Sequence, residues 1–344
     1  MEATHIEKIF RKRVFYLLVS LTALILLVPI STSLGVYNAT FIDAIKLLVD
    51  AQAVAPDVRA VLLLRFRRVA ACIMAGVVLG GAGAAMQSIL RNPMASPFTL
   101  GISHSAALGV ALGLVSGIGG YVSQRVLYLD AYILPLLAIV FSLVQTVIVL
   151  FLAYKAGLTE RALILSAIAM SFFYQAVLNL VQYLYLNEIQ VALVVFWTFG
   201  DIGRVGWLDM GVMSVSAALL ALYYIYRAID FDLMNLGDDI AHSSGLNPHR
   251  LRVEVALVSA VGTAIVTAFS GVIAFLCLVS PHIARLVTGN SHRYLLPQSM
   301  ITASILLLAA DTLGRVLLSP KTLPAGIMLS LIGAPLLLYL LLRG

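Results

Sequence analysis

Apolar positions in this chain gather into long runs, and Gly, Pro or charged residues punctuate them near 14–34, 62–86, 94–116, 131–154, 161–186, 208–228, 252–272, 273–288, 296–318 and 324–342. A membrane span needs about 20 mostly apolar residues. Because backbone polar groups cannot be left unpaired in lipid, each run is expected to be helical, with its Gly and Pro positions facing protein. The joint between the seventh and eighth runs is poorly marked. The pattern predicts an all-α polytopic membrane protein of about ten transmembrane helices, organised as one transmembrane domain over 1–344.

Composition leaves little room for anything else. Hydrophobic residues make up 61% of the 344 positions and charged residues 11%, with a mean hydropathy of +1.02. An ordinary soluble domain carries roughly a quarter charged residues. The formal net charge of +6 lies singly or in short clusters between apolar runs, which is the pattern of topology signals and not of a nucleic-acid surface. Cys72 and Cys277 sit in separate apolar stretches and read as small packing residues.

Lys8, Arg11, Lys12 and Arg13 precede the first run, which is longer than a signal-peptide core and has no A-x-A site after it. It reads as a retained first span with a cytoplasmic N-terminus, and an even number of spans returns the C-terminus to the same side. Arg91, Lys155, Arg161, Arg250, Arg252, Arg285 and Arg293 then also fall inside. Against that bias, Arg59, Arg65, Arg67 and Arg68 crowd the outer entrance of the second span. The longer joints are 35–61 and 187–207, expected outside, and 229–251, expected inside.

Within the inside joint, Leu236-Gly237-Asp238-Asp239-Ile240-Ala241-His242-Ser243-Ser244-Gly245 reads as a Gly stop, Asp residues suited to an N-cap, one or two helical turns and a second Gly stop. Asn247-Pro248 then permits a fresh helix start. An ordered short helix outside the membrane suits either docking of a cytoplasmic partner or a solvated connector.

No phosphate loop, dinucleotide fingerprint or H-E-x-x-H zinc motif occurs, so a nucleotide that drives this chain would be bound by another polypeptide. The histidines show no i, i+4 pairing that would suggest a metal site. Ionisable residues in spans are costly and mark function or pairing. Asp311 and Arg315 share one helical face at i, i+4 and can neutralise each other. No chain of carboxylates crosses the membrane, which argues against an ion-coupled secondary transporter; an enzyme built on Asp311 and His282 is a third and weaker reading.

Small residues from Ala75 to Ala85 recur at three- and four-residue spacings, so the second span is expected to pack closely against a neighbour. Arg91-Asn92-Pro93-Met94-Ala95-Ser96-Pro97 follows, where the prolines end one helix and begin the next. Ser280-Pro281 suggests a second Pro-broken turn, and the two together hint at an inverted internal repeat.

These residues resemble the FecCD-type permeases of type II ABC importers. The matching segments are Gly83-Ala84-Ala85-Met86-Gln87, Arg91 to Gly101, Leu236-Gly237-Asp238-Asp239 with Ala241 and Gly245, Pro281-His282-Ile283-Ala284-Arg285, Ala310-Asp311 with Arg315, Leu323-Pro324-Ala325-Gly326 and Ile332-Gly333-Ala334-Pro335. The resemblance implies a cobalamin-permease-like fold in the cell membrane, paired with a second copy of itself around a translocation path. It also implies two ATP-binding subunits, which hold the ATP and Mg, and an extracytoplasmic substrate-binding protein. No catalytic residue, metal or cofactor is expected in this chain.

By motif match, Arg65, Arg68 and Arg315 are the residues that would receive the binding protein. Asn92, Met94, Thr159 and Glu160 would form the cytoplasmic gate, and Leu236, Gly237, Asp238, Asp239, Ala241 and Gly245 would couple to the ATPase. This chain has Arg67 where the family usually has proline, Met94 where leucine is commoner, and Glu160 where a small hydroxyl residue is commoner. Ferric siderophores are the commonest substrates of the family; haem, cobalamin and oxyanions are the alternatives.

Overall fold

The structure, a computed structural model, describes residues 2–35, 37, 40–123, 126–129 and 132–343. Val36, Asn38 and Ala39 of the first long joint lie outside the described residues. Among the described residues fourteen α-helices run in chain order: α1 Glu2–Ser33, α2 Phe41–Val49, α3 Pro56–Ile89, α4 Ile102–Val115, α5 Ile133–Lys155, α6 Glu160–Tyr185, α7 Glu188–Trp197, α8 Trp207–Tyr226, α9 Ala228–Asn235, α10 Asp238–Ser243, α11 Pro248–Ser270, α12 Leu276–Thr288, α13 His292–Val316 and α14 Ala325–Arg343. Seven of them hold stretches long and apolar enough to cross a membrane, within α1, α3, α5, α6, α8, α11 and α13. The other three predicted spans correspond to the shorter apolar helices α4, α12 and α14.

Several joints differ from the sequence expectation. Helix α3 ends at Ile89, and the chain does not re-enter a helix at Met94. Instead Pro97–Leu100 forms a 3₁₀ turn capped by Ser96, Gly101 takes φ +87°, and α4 begins at Ile102. The missing N–H groups of Pro93 and Pro97 and the left-handed glycine explain the delay. The 35–61 joint contains α2, capped by Thr40 and Asp43 in a reciprocal capping box, and the first turns of α3. The 187–207 joint holds the apolar helix α7. An antiparallel hairpin, β1 Gly120–Ser123 with β2 Val126–Leu129, lies between α4 and α5. Pro281 sits inside α12 and makes no turn. The open joint between the seventh and eighth runs is 271–274, where Gly271 at φ +76° leaves α11.

Chain contacts group the residues into two units. In the first, Met1–Ala84, Ile202–Ala228 and Phe275–Gly344, α13 is the central element, packed against α1, α8, α12 and α14. The small residues of α3 let its backbone meet this unit closely. A Cβ on Gly76 would lie 2.4 Å from Ser304 Cα, one on Gly80 2.5 Å from the Ser299 carbonyl oxygen, and one on Gly83 2.1 Å from the Cys277 carbonyl oxygen. Ser299 Oγ donates to the Gly80 carbonyl at 2.7 Å and Ser304 Oγ to that of Ile73 at 3.1 Å. Cys277 lies four residues before Pro281, which has no N–H to offer its carbonyl. The glycine is packed against a carbonyl whose usual i+4 donor is missing.

The second unit is Ala85–Asp201 with Ile229–Ala274. Here α5 is central, against α4, α6 and α11, and α7 packs on α4. Gly271 is required for a further reason: a Cβ there would lie 2.2 Å from the Trp197 carbonyl oxygen, beside the Asp201 N–H that donates to Ser270 at 2.7 Å.

Candidate functional site

Among the described residues, each unit holds a buried ionic cluster. In the first unit, Arg68 Nη2 meets Asp311 Oδ1 at 2.6 Å and Arg315 Nε meets Asp311 Oδ2 at 3.1 Å. Asp311 is almost fully buried. The expected i, i+4 pair of Asp311 and Arg315 is therefore present and has a third member. Arg315 also donates to the carbonyls of Ser31 and Leu34, each at 3.0 Å, and Arg65 to those of Thr32, Ser33 and Tyr37 at 2.9, 3.0 and 2.7 Å.

The last carbonyls of a helix have no intrahelical donors. The two guanidinium groups satisfy them at the end of α1, and positive charge suits that end of the helix dipole. Arg65 and Arg315 are each only 6% exposed. Arg68 is partly exposed, and Arg59, beyond the cluster, is exposed.

The second unit holds an ionic cluster at the end of α3 and the starts of α6, α10 and α11. Arg252 is 1% exposed. Its Nη1 and Nη2 reach the two oxygens of Asp238 at 2.8 and 2.7 Å, Nη2 also reaches Glu160 Oε1 at 3.2 Å, and Nε donates to the Ile89 carbonyl at 3.1 Å. Arg91 pairs with Glu160 and lies 3.9 Å from Asp238. Two cations thus face two carboxylates. The Arg252 hydrogen bonds hold the Asp238 carboxyl below the usual carboxylate range, against a smaller opposing effect of burial.

Local sequence places these groups. Helix α3 ends in a Schellman-type bond from Asn92 N–H to the Gln87 carbonyl, with Arg91 at φ +40° in the position glycine usually takes. Helix α5 ends similarly, from Leu158 N–H to the Ala153 carbonyl, with Gly157 and Leu158 both left-handed. Thr159 then caps α6 by accepting from Ala162 N–H at 3.2 Å, which puts Glu160 at the first helical position. Asn92 Oδ1 accepts from Met94 N–H at 2.9 Å, and the Met94 side chain is exposed.

The α9–α10 segment has the architecture expected of it, with one correction. Gly237 at φ +115°, not an aspartate, is the N-cap of α10, and Asp238 and Asp239 occupy its first turn. Ala241 is buried, Gly245 at φ +86° ends the turn, and Asn247 caps α11 ahead of Pro248. Leu236 and Ile240 are exposed four residues apart, beside exposed Asp239. Sequence reasoning missed Arg252, read only as a topology signal; its position one turn into a helix that follows Asn-Pro, after the acidic Asp238 turn, was the available clue.

Along α6 and α7 an open groove of about 670 Å³ is lined by residues that include Asn179, Gln182, Tyr183, Glu188, Val191 and Phe196. Among the described residues no group of three or more His, Cys, Asp or Glu is placed to hold a metal ion.

The profile of the FecCD transport family matches residues 23–343. The chain belongs to the FecCD transport family. A Methanocaldococcus jannaschii protein named as an ABC transporter permease is 40% identical to this FecCD chain over 282 residues, covering 81% of this chain and 80% of that one. The Fe(3+)-citrate import permease of Bacillus subtilis is 34% identical, with 80% of each chain covered, and the hemin transport permease of Yersinia pestis 33% identical, with 81% and 82% covered. A solved inward-facing metal-chelate-type ABC transporter superposes with a TM-score of 0.80 at 24% identity, over 97% of this chain and all of that one, so the fold is shared. The FecCD chain is a membrane protein and a permease of the ABC transporter kind.

Proposed function

We propose that this FecCD chain is the permease subunit of an ATP-driven importer of ferric siderophores, working as a homodimer with two separate ATP-binding subunits and an extracytoplasmic binding protein. The observation that carries the reading is the family match over 23–343, joined to relatives named for Fe(3+)-citrate and iron(3+)-hydroxamate import. In this reading the chain performs no covalent chemistry. Its N- and C-termini and the Arg91–Glu160–Asp238–Arg252 cluster lie on the cytoplasmic side, where Lys155, Arg161 and Arg250 also gather.

Leu236, Asp239 and Ile240 are presented to the ATPase subunit as an apolar pair with an adjacent charge, on a helix held by Gly237, Asp238, Ala241 and Gly245. Asn92, Met94, Thr159 and Glu160 form the gate that closes the path below. The exposed apolar face of α6, which includes Leu165, Phe172 and Tyr183, meets lipid or the second copy, and the α6–α7 groove offers a bulky chelate a mostly apolar wall with few fixed charges. Arg65, Arg68 and Arg315 lie beneath the surface that receives the binding protein. With Arg65 and Arg315 turned onto the end of α1, the exposed Arg59 and part-exposed Arg68 supply the outward charge.

Proteoliposomes holding this chain, its ATPase subunit and its binding protein distinguish the substrates. ATP-dependent uptake of iron supplied as a hydroxamate chelate is expected, and uptake of hemin or cobalamin with no iron-hydroxamate uptake would reassign the cargo.

A further inference from the structure

The four-residue ionic cluster does more than neutralise charge, because one guanidinium group contacts three separate segments. Arg252 spends Nη1 and Nη2 on Asp238 of α10, Nη2 also on Glu160 of α6, and Nε on the last turn of α3 through the Ile89 carbonyl. Guanidinium is planar and fixes the directions of its donors, so this arrangement has little slack compared with an ammonium at the end of a flexible stem. Arg91 closes the ring from the α3 side through Glu160. The turns that bring Arg91 and Glu160 together each carry a non-glycine residue in the left-handed region, Arg91 at φ +40° and Leu158 at φ +54°. Such conformations persist only where their surroundings enforce them, and they collect at switch regions.

We infer that Arg252 is a positioning residue for energy coupling: with Arg91, Glu160 and Asp238 it forms an ionic latch that makes helix α10 and the turn opening α6 move as one body. The inference rests on the proposed assignment of α10 to the ATPase interface and of Glu160 to the gate. A displacement of α10 passes through Asp238 to Arg252 and from there to Glu160 and the end of α3, so the gate turns follow the ATPase without an intervening flexible joint. A physical account of coupling needs such an element, one whose arrangement both sites bias. Glu160 is the member that commits the latch to the gate. A small hydroxyl residue in its place has no charge for either arginine.

Two measurements test the latch. In the purified chain in lipid nanodiscs, amide hydrogen exchange of α10 reports its local opening. Glu160→Gln keeps the side-chain shape and removes the charge, and is expected to speed α10 exchange about tenfold, while Arg161→Gln, which removes an exposed charge from the same turn, leaves it unchanged. In proteoliposomes with the ATPase subunit and binding protein, Glu160→Gln and Asp238→Asn are each expected to raise the ATP hydrolysed per substrate imported several-fold. The double variant is expected to rise no further than the larger single one. Unchanged α10 exchange in Glu160→Gln, or full multiplication of the two effects in the double variant, overturns the latch. Failure of any ATPase subunit to bind the wild-type chain overturns the importer reading and the coupling role with it; the exchange experiment, which needs only this chain, separates the two failures.

Discussion

Arg68 and Asp311, 243 positions apart in sequence, meet at 2.6 Å inside the first unit, and Arg315 holds the other oxygen of the same carboxylate at 3.1 Å. One buried anion thereby serves two cations, and Arg315 in turn serves the end of α1. Breaking a buried pair costs more than the pair contributes, because a desolvated charge is left behind. Asp311→Asn is expected to lower stability by roughly 3 kcal/mol, read as a lower melting temperature in detergent. Asp311→Asn with Arg68→Met should regain part of that loss. An unchanged melting temperature in the single variant would contradict the buried-triad account.

Arg65 is expected to behave as a structural residue first. Arg65→Gln removes donors from three carbonyls at 2.7–3.0 Å and should destabilise the isolated chain by about 1–3 kcal/mol. The check is thermal unfolding with no binding protein present. A residue used for docking alone would leave that melting temperature where it was.

Glycines on α3 should respond according to what faces them. Gly76→Ala and Gly83→Ala drive a methyl group to 2.4 and 2.1 Å from backbone atoms of α13 and α12, and overpacking of this kind costs about 1–3 kcal/mol. Gly211→Ala on α8, with nothing within 4 Å of the added carbon, should cost nothing and gain from helix propensity. Melting temperatures of the three variants give the comparison.

Asp238 supplies a pH signature. Its carboxyl is held below the ordinary range by Arg252, with Arg91 and His249 adding to the effect. A lowered folded-state pKa means that the contribution is complete above the unfolded value of about 3.9 and is lost as pH falls through the folded one. The difference in melting temperature between wild type and Asp238→Asn should therefore not fall from about pH 7 to 5 and should shrink only below about pH 4. A difference that already collapses between pH 7 and 5 would show that Asp238 is not held this way.

The sequence made the helices legible because apolar run length is a strong local signal, and it located the ends of α10 because Gly237, Gly245 and Asn247-Pro248 are local punctuation. It made the Asp311–Arg315 pair legible because both residues lie on one helix face. Arg68 and Arg252 were illegible as partners of Asp311 and Glu160, since those contacts are set by tertiary packing across 243 and 92 positions. The delayed start of α4 and the helix in 187–207 were missed for a related reason: mean apolarity does not distinguish a span from a Pro-capped turn or a short surface helix. Arg65 was legible as a motif arginine but not as a partner of the Thr32, Ser33 and Tyr37 carbonyls, since that contact too is set by tertiary packing.

The central claim is that this chain moves its cargo with energy supplied by a separate ATPase through α10. The direct measurement is chelate uptake into proteoliposomes that contain this chain with or without its ATPase subunit, comparing wild type with a bulky Gly237→Trp variant. The account predicts uptake only with ATP and the ATPase subunit, and loss of both ATPase binding and uptake in Gly237→Trp. Uptake driven by an ion gradient with no ATPase subunit present would contradict it.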